Sequence, residues 1–392
     1  MNRNLWLMAV AQGLFLTNNI LLIAVNGLVG LSLAPHSWMA TLPILGYVVG
    51  GAISTGPVAW SQSRWGRKVS FQIGLAVAFV SVLLATYAVL DKNFWLLVTA
   101  TVIAGYYSAN GQLYRFAAAE LAKPEYRERA VSLVLAGGII GGVIGPNLAK
   151  WTQHLGDAPF AGAYATLAVV ALIAMGVISM VTFPPVTPRK PGADSGRPLS
   201  VIMRQPVFIV STAAAALGYG VMNILMAASP IAMQICGHPF KDAALVLEWH
   251  VIGMFAPGFF TGHLIKRFGI IPILSAGVAL NLLGIAIALS GVEVMHFLLS
   301  MFLVGVGWNF LFTAGTALSL KAYLPEEKDK AQGAINFCVF AVMMITSFSS
   351  GALVTTQGWA LLNTISLIPV AITGIAMVWY VMQGRSRSQT DA

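Results

Sequence analysis

The chain consists almost entirely of apolar runs about 20 residues long, the length that an α-helix needs to cross the hydrocarbon core of a bilayer. Hydrophobic residues make up 58% of the 392 residues and charged residues only 9%, against about 25% charged residues in soluble proteins. Long open strands are excluded in lipid because backbone polar groups must be satisfied internally. The sequence therefore predicts an all-α protein that crosses the membrane many times.

One hydrophilic stretch, residues 184–206, interrupts this pattern. It contains six prolines, four basic residues and one acid, and such a mixture neither continues a helix nor buries a core. We therefore divide the chain into a first half, residues 1–183, a linker, 184–206, and a second half, 207–392. Hydropathy predicts six spans in each half, numbered in chain order as 5–31, 38–60, 69–90, 94–120, 130–149 and 163–183, then 207–234, 243–265, 271–290, 295–319, 331–355 and 359–382.

The basic residues predict the orientation, since loops on the cytoplasmic side carry an excess of lysine and arginine. With the N-terminus inside, most of the 22 basic residues fall in cytoplasmic loops, and only Lys92, Lys150 and Lys241 fall in outer loops. Both termini and the linker are therefore expected in the cytoplasm. Nucleic acid is not expected as a partner despite the net charge of +9, because no basic stripe is interleaved with exposed aromatic residues.

Short matches between the halves recur at an offset of about 200 residues. Asn19-Ile20-Leu21 in span 1 reappears as Asn223-Ile224-Leu225 in span 7, and Arg64-Trp65-Gly66 after span 2 as Arg267-Phe268-Gly269 after span 8. Further weak matches link spans 4 and 10 and the loops that follow them. We predict twelve helices in two pseudo-symmetric six-helix bundles, an arrangement in which transporters bind substrate near the midplane between the halves.

The loop after span 2, Ala59–Lys68, resembles the signature G-x-x-x-D-R-x-G-R-[KR] of the major facilitator superfamily. Ser63 stands where that family has Asp, and Ala59 stands where it has Gly. A degenerate second copy follows span 8. The matching positions are Arg64, Gly66, Arg67 and Lys68 in the first copy and Arg267 and Gly269 in the second.

This resemblance implies a monomeric secondary transporter that works by alternating access, in a bacterial inner membrane with both termini cytoplasmic. In the family the loop steadies the outward-open state through its Asp and a neighbouring helix end. Because the Asp is missing here, we expect Glu120, at the cytoplasmic end of span 4, to supply a carboxylate to Arg64 or Arg67. The alternative is that Glu120 pairs with Lys123 or is solvated.

Span 5 carries a glycine-rich stretch that looks like the G-x-x-x-G-P element of the family's antiporters. The matching residues are Gly141, Gly145 and Pro146. Small residues four apart also let two membrane helices approach closely, so tight packing is the alternative explanation.

The resemblance also implies that spans 1, 4, 7 and 10 line the substrate path. Each of these spans carries asparagine. Because successive residues of a helix are about 100° apart around its axis, aromatic residues share helix faces with these asparagines. We predict an amphipathic pocket for a neutral or anionic organic molecule with a flat ring, although each asparagine has an interhelical hydrogen bond as its alternative. The candidate binding residues are Asn19, Tyr107, Asn110, Tyr114, Arg115, Tyr219, Asn223, Asn309 and Phe312.

Intramembrane charges are functional hypotheses by default. Arg115 is expected to attract an anionic substrate or to pair with Glu120, with snorkelling to the cytoplasmic surface as the alternative. Glu248, in the outer part of span 8, is the candidate for proton coupling because a desolvated carboxylate has a raised pKa, and His250 titrates near neutral pH. The alternative for Glu248 is a solvated position in the outer interface near Lys241.

Three functions remain open at this point. The leading prediction is a secondary active transporter of a small organic solute, proton-coupled and driven by a gradient, because the chain has no P-loop for ATP. The span 5 element makes this prediction lean to export of a drug or metabolite. Import of a nutrient or a vitamin-like aromatic metabolite is the alternative, and a membrane sensor that does not transport is a remote one. Neither an enzyme nor a cofactor is expected, since the sequence contains no metal cluster, catalytic triad or paired carboxylates.

Overall fold

The computed structural model describes residues 3–123, 127–183, 196–324 and 327–390, so most of the predicted linker lies outside the described residues. Within those ranges the regular elements are helices, with a short 3₁₀ turn at Ser37–Met39. The α-helices are α1 (Arg3–Leu33), α2 (Leu42–Leu90), α3 (Phe94–Gly111), α4 (Tyr114–Leu121), α5 (Arg127–Thr152), α6 (Ala161–Ser179), α7 (Leu199–Met203), α8 (Pro206–Ile235), α9 (Phe240–Phe255), α10 (Gly258–Phe268), α11 (Ile270–Ser290), α12 (Val294–Ser319), α13 (Lys328–Thr356) and α14 (Gly358–Thr390).

Helix α2 contains two spans, because 49 residues at about 1.5 Å per residue greatly exceed the thickness of a bilayer. Its backbone leaves the helical conformation at Gly66, where φ is 82° and ψ is 171°. Gly269 has almost the same geometry, φ 90° and ψ 168°, between α10 and α11. Positive φ is readily accessible only to glycine, so the turn that the sequence predicted at Gly66 is repeated in the second half.

Two of the predicted spans are broken. Span 4 consists of α3 and α4, separated by Gln112 and Leu113, and span 8 consists of α9 and α10, which meet at a bend of 40°. Nine of the described helices are long and apolar enough to cross a membrane, or ten if the bent pair is one span. With α2 counted as spans 2 and 3, and α3–α4 as span 4, the described helices account for the twelve predicted spans.

The helices of each half pack mainly on one another. Span 1 packs on spans 5 and 6 in the first half, and span 7 packs on spans 10, 11 and 12 in the second. The halves meet where span 5 packs on span 8, span 2 on span 11, and span 1 on span 7. Helix α7 lies inside the predicted linker, and Pro206, the last residue of that linker, begins α8.

Among the described residues, the hydrogen bonds and ring contacts between spans of opposite halves lie near one end, here called the distal end, which is remote from both termini. Thr41 Oγ1 donates to the carbonyl of Ser347 at 2.7 Å and accepts from the amide of Gly351 at 3.1 Å. Three further pairs join spans 5 and 8, spans 2 and 11, and the segments that precede spans 6 and 8. We call these residues the distal gate: Trp38, Thr41, Asn147, Phe160, Phe240, Glu248, Ser347, Phe348 and Gly351.

Candidate functional site

Aromatic side chains from both halves occupy the middle of the bundle. In the first half Phe15 makes edge-to-face contacts with Tyr107 and Tyr114, at centroid distances of 5.4 and 5.9 Å. In the second half Trp308 and Phe312 stack at 5.2 Å with an interplanar angle of 13°. These are the rings of spans 1, 4 and 10, and such pairs stabilise their packing by about 1 kcal/mol each beyond the area they bury.

Tyr219 of span 7 connects the two groups of rings. Its ring meets that of Trp308 edge-on at 5.5 Å, and its hydroxyl lies within electrostatic range of Tyr47 and Arg115 in the first half. Tyr107 in turn lies within such range of Tyr47. We call this group the central cluster: Phe15, Tyr47, Tyr107, Tyr114, Arg115, Tyr219, Trp308 and Phe312.

Two polar atoms of the central cluster are buried without a hydrogen-bond partner in the described part of the chain. They are Arg115 Nε and Trp308 Nε1. Oε1 of Gln12, one turn before Phe15, is likewise buried without a partner. Buried polar atoms in proteins are bonded in the large majority of cases. The cluster thus combines flat apolar surface with unused donors and acceptors, the combination that orients an organic ligand.

The asparagines of spans 4 and 10 are bonded within their own halves. Asn110 is fully buried; it donates to the carbonyl of Tyr106 at 3.1 Å and accepts from Ser70 at 3.0 Å. Asn309 donates to a carbonyl of span 8 and accepts from Thr261, both at 2.7 Å. Each asparagine thus joins two spans of its own half, Asn110 through Ser70 and Asn309 through Thr261 and Met254, as the interhelical alternative predicts. We leave both out of the proposed ligand-binding set.

The other two predicted asparagines lie at the borders of the cluster. Asn19 accepts the hydroxyl of Tyr47, which fixes that ring beside span 1. Asn223 donates to the hydroxyls of Thr346 and Ser347, each at 2.9 Å. Because Ser347 also belongs to the distal gate, Asn223 connects span 7 to the gate.

Arg115 points into the bundle. Its guanidinium lies 4.9 Å from the ring of Phe116 and within electrostatic range of Tyr219. Glu120, one of its expected partners, is bound instead by Arg67 through Nε at 2.9 Å and through Nη2. Nε is buried, while the residue as a whole is half-buried, so the snorkelling alternative stays untested.

The two candidates for proton coupling lie apart from each other. Glu248 is half-buried at the distal gate, where it accepts from Asn147 Nδ2 at 2.8 Å, and Lys150 donates to the same amide at 2.9 Å. His250 is fully buried, with Nδ1 only 2.6 Å from the carbonyl of Met301. That distance assigns the proton of the neutral ring to Nδ1 and leaves Nε2 as an acceptor; Nε2 has no partner in the described residues.

The signature loop is attached to neighbouring spans of the first half. Besides Glu120, Arg67 contacts Gln62 at 2.5 Å, and Lys68 donates to the carbonyl of Ser179 at the end of α6, also at 2.5 Å. Arg64 is exposed. In the second copy Arg267 lies 5.2 Å from the ring of Phe268. The effect of these contacts on transport stays a prediction.

The glycine element of span 5 packs against span 1. A Cβ atom built on Gly141 would lie 2.4 Å from the carbonyl oxygen of Gly13, and one on Gly145 would lie 3.1 Å from that of Thr17. Pro146 is buried. Close backbone approach within the first half therefore accounts for these small residues, and an antiporter role stays untested.

Sequence reasoning missed Tyr47 and Trp308. Trp308 lies four residues before Phe312 and so on the same helix face, a signal that the neighbouring Asn309 obscured. Tyr47 lies on span 2, which the family resemblance did not mark as a lining span, and no pattern in its surroundings singles it out.

The chain belongs to the major facilitator superfamily, whose family model matches residues 5–249 and 244–392. Within it, the chain is 37% identical to the riboflavin transporter RfnT of Brucella anthropi over 379 residues, which cover 96% of this chain and 95% of that protein. It is 23% identical to the uncharacterized MFS-type transporter YddS of Bacillus subtilis, over 91% of this chain and 86% of the relative.

Solved structures show the same fold at low identity. A D-xylose–proton symporter superposes with a TM-score of 0.76 at 14% identity, over 96% of both chains. The nucleoside transporter NupG superposes with a TM-score of 0.70 at 13% identity, over 97% of this chain and 99% of that one. The all-α fold of two membrane-embedded bundles is therefore confirmed, and with it the assignment to a family of membrane transporters.

Proposed function

We propose that the protein imports a flat, aromatic, vitamin-like metabolite of the riboflavin class across the cytoplasmic membrane by alternating access. The observation that carries this proposal is the central cluster, in which rings of both halves surround unused polar atoms. Extended similarity to a riboflavin transporter supports the same substrate class. The ring cluster and this similarity favour vitamin import over the export of a drug or metabolite towards which the sequence leaned.

The shape of the cluster suits a fused heteroaromatic ring. Trp308 and Phe312 lie nearly parallel, and Tyr219 stands almost perpendicular to Trp308, at 85°. Stacking on such surfaces is favourable for any flat ring and does not require a charged ligand. Selectivity then rests on the polar atoms at the edge of the cluster, of which Arg115 carries the only formal charge.

The distal gate supports a cytoplasm-open state. If both termini are cytoplasmic, as the basic loops predict, the distal end faces outwards and its contacts between halves close the outer entrance. At the termini end, a Cβ atom built on Gly56, Gly262 or Gly333 meets no heavy atom of the described residues within 4 Å beyond its own stretch of helix. Transport would then require the distal gate to open while the opposite ends of the halves approach each other.

Proton coupling through Glu248 follows from its place between the halves. The carboxylate accepts from Asn147 of the first half, so protonation would remove a charge-assisted bond from the gate. Lys150, bonded to the same amide, is the nearby cation, and His250 of the same helix contacts the carbonyl of Met301 instead. We assign the coupling role to Glu248, with His250 as the second candidate.

Uptake of radiolabelled riboflavin tests the function directly. Cells that neither synthesise nor import riboflavin are supplied with the protein and with a Trp308→Ala variant. We expect growth on low riboflavin and uptake that a proton uncoupler abolishes, with at least about a tenfold loss in the variant because an aromatic stacking surface is removed. Tyr87→Phe, on an exposed ring of span 3, is the matched control and should transport normally.

Everted vesicles separate import from export. An exporter would accumulate drug in such vesicles when the proton gradient is imposed, and riboflavin would not compete. Glu248→Gln should abolish the response of uptake to a pH gradient while counterflow of riboflavin continues. Full gradient-driven accumulation by Glu248→Gln would rule out this residue as the coupling site.

A further inference from the structure

We propose that Arg115 determines specificity by reading a ring edge that offers two adjacent hydrogen-bond acceptors, such as a carbonyl oxygen beside a ring nitrogen. This inference rests on the proposed function, which places a flat heteroaromatic ligand in the central cluster. It adds a chemical requirement: the ligand is neutral or anionic and presents acceptors, not donors, towards span 4.

The first support is the missing partner of Arg115. A charged side chain within a membrane span is costly and is normally paired or solvated. Here Nε is buried without a partner in the described residues. The guanidinium lies over the ring of Phe116 and within electrostatic range of Tyr219. The carboxylate of Glu120 is bound by Arg67. A ligand with acceptors would compensate the cation, whereas a cationic ligand would add to its cost.

The second support is position. Arg115 lies within electrostatic range of Tyr219 across the boundary between the halves. Tyr219 contacts Trp308 and Phe312 at 5.5 and 5.8 Å. A ring that lies against this aromatic wall would therefore turn one edge towards Arg115. Such a ligand touches both halves at once, so its binding bears on their relative movement.

The third support is the geometry of the side chain. A guanidinium presents its donors in a rigid planar fork that matches two adjacent acceptors, while an ammonium is a point charge on a flexible stem. Lysine at this position would keep the charge but lose the paired bonds. The proposal therefore predicts that Arg115→Lys is not conservative, which a purely electrostatic role would not predict.

Quenching of flavin fluorescence by the purified protein in detergent measures the effect. The probes are riboflavin, lumiflavin, which lacks the ribityl chain, and 2-thioriboflavin, in which a weaker acceptor replaces the C2 carbonyl oxygen. The unchanged protein should prefer riboflavin over 2-thioriboflavin by about tenfold and bind lumiflavin through the same ring edge. Arg115→Lys and Arg115→Met should weaken riboflavin binding about tenfold or more and lose the preference over the thio analogue.

Arg267→Met is the matched control, since Arg267 also lies over the ring of the next residue, Phe268, but at the exposed end of span 8. It should bind all three probes as the unchanged protein does. Riboflavin binding by Arg115→Met within twofold of the unchanged protein would overturn the inference. If Arg115→Met does not fold, a retained preference over 2-thioriboflavin in Arg115→Lys would overturn it equally.

Failure of the proposed function gives a different pattern. If the unchanged protein binds no flavin, its melting temperature is recorded with uracil, pterin, nicotinate and the cations ethidium and tetraphenylphosphonium, because a ligand that binds the folded state raises it. Stabilisation by the acceptor-bearing compounds that disappears in Arg115→Lys supports the role of Arg115 with another substrate. Stabilisation by the cations alone, or by none of these compounds, overturns it.

Discussion

The two halves fasten the same end of the bundle with different parts of the chain. In the first half Arg67, in the loop after span 2, binds Glu120 at the end of span 4. In the second half Arg267 occupies the repeated loop position but lies over Phe268. After span 10 the described carboxylate Glu327 is bound by Arg197, which comes from the predicted linker.

This difference shows that both halves hold a carboxylate at this end with an arginine, but that the arginine comes from the repeated loop in the first half and from the linker in the second. Glu327 is fully buried and accepts from the Arg197 backbone amide at 2.7 Å, from its Nε at 2.8 Å and from the Leu324 amide at 2.9 Å. Lys330 binds the carbonyl of Arg197. The end of the linker is therefore part of the second half, whereas the first half closes its loop with its own residues.

The largest expected effect comes from breaking the second of these two pairs. Glu327→Gln should lower the melting temperature by roughly 5 °C, because it removes a buried charge that satisfies several donors. Glu120→Gln should lower it by about 1 °C or less, because Glu120 is 45% exposed and its ion pair is screened by solvent. Thermal unfolding in detergent measures both, with Glu293→Gln at an exposed helix start as control. Equal losses would show that the halves do not differ in this way.

The pH dependence of stability sharpens the same comparison. The Arg197 side chain, followed by the backbone amides of Leu324 and Arg197, holds the pKa of Glu327 at about 2, below its ordinary value of 4.5. Because the pKa is lower in the folded state, its stabilisation is complete above pH 4.5 and is lost as pH falls towards 2. The difference in melting temperature between the unchanged protein and Glu327→Gln should shrink across that window. A constant difference down to pH 3 would contradict the assignment.

A smaller change in stability tests a feature that the two halves share, the glycine turn. Gly66→Ala and Gly269→Ala each force a side chain into positive φ, at 82° and 90°, with ψ near 170°, which costs roughly 1–3 kcal/mol per residue. We expect the two variants to lose similar stability, with Gly374→Ala, which has only an ordinary contact at 3.8 Å, close to neutral. Denaturant titration monitored by tryptophan fluorescence gives the three values. A loss in one loop alone would mean that the repeated geometry matters in only one half.

Sequence reasoning predicted the spans, the glycine turn and a carboxylate from Glu120 to Arg64 or Arg67, because each depends on local length, backbone conformation or nearby charge. It did not decide between binding and packing for the asparagines. Asn110 of span 4 fills the space beside Gly74 of span 3, whereas Asn281 of span 9 fills the space beside Gly307 of span 10. The same contact thus uses opposite helices in the two halves, and the sequence does not contain the rotation of each helix about its axis.

The sequence predicted a group of aromatic and polar side chains between the halves, but it identified only some of the residues of the central cluster. Tyr107, Tyr114, Arg115, Tyr219 and Phe312 are brought together around the boundary of the halves. Whether an aromatic residue faces lipid, a neighbouring helix or a ligand depends on which spans are adjacent, and that is settled by tertiary packing. The pairing of Glu327 with the linker was missed for the same reason.

The distal gate has a consequence for how fast such a carrier turns over. Its polar contacts between the halves are few: two bonds at Thr41 and one from Asn147 to Glu248. Interhelical hydrogen bonds in membranes contribute roughly 0.6 kcal/mol each, so the three bias the closed state by about 2 kcal/mol, or about 30-fold. On their own these bonds would leave the outward-open state populated at about 3%, so we expect the closed entrance to be the resting state and the open one to remain available to the next solute.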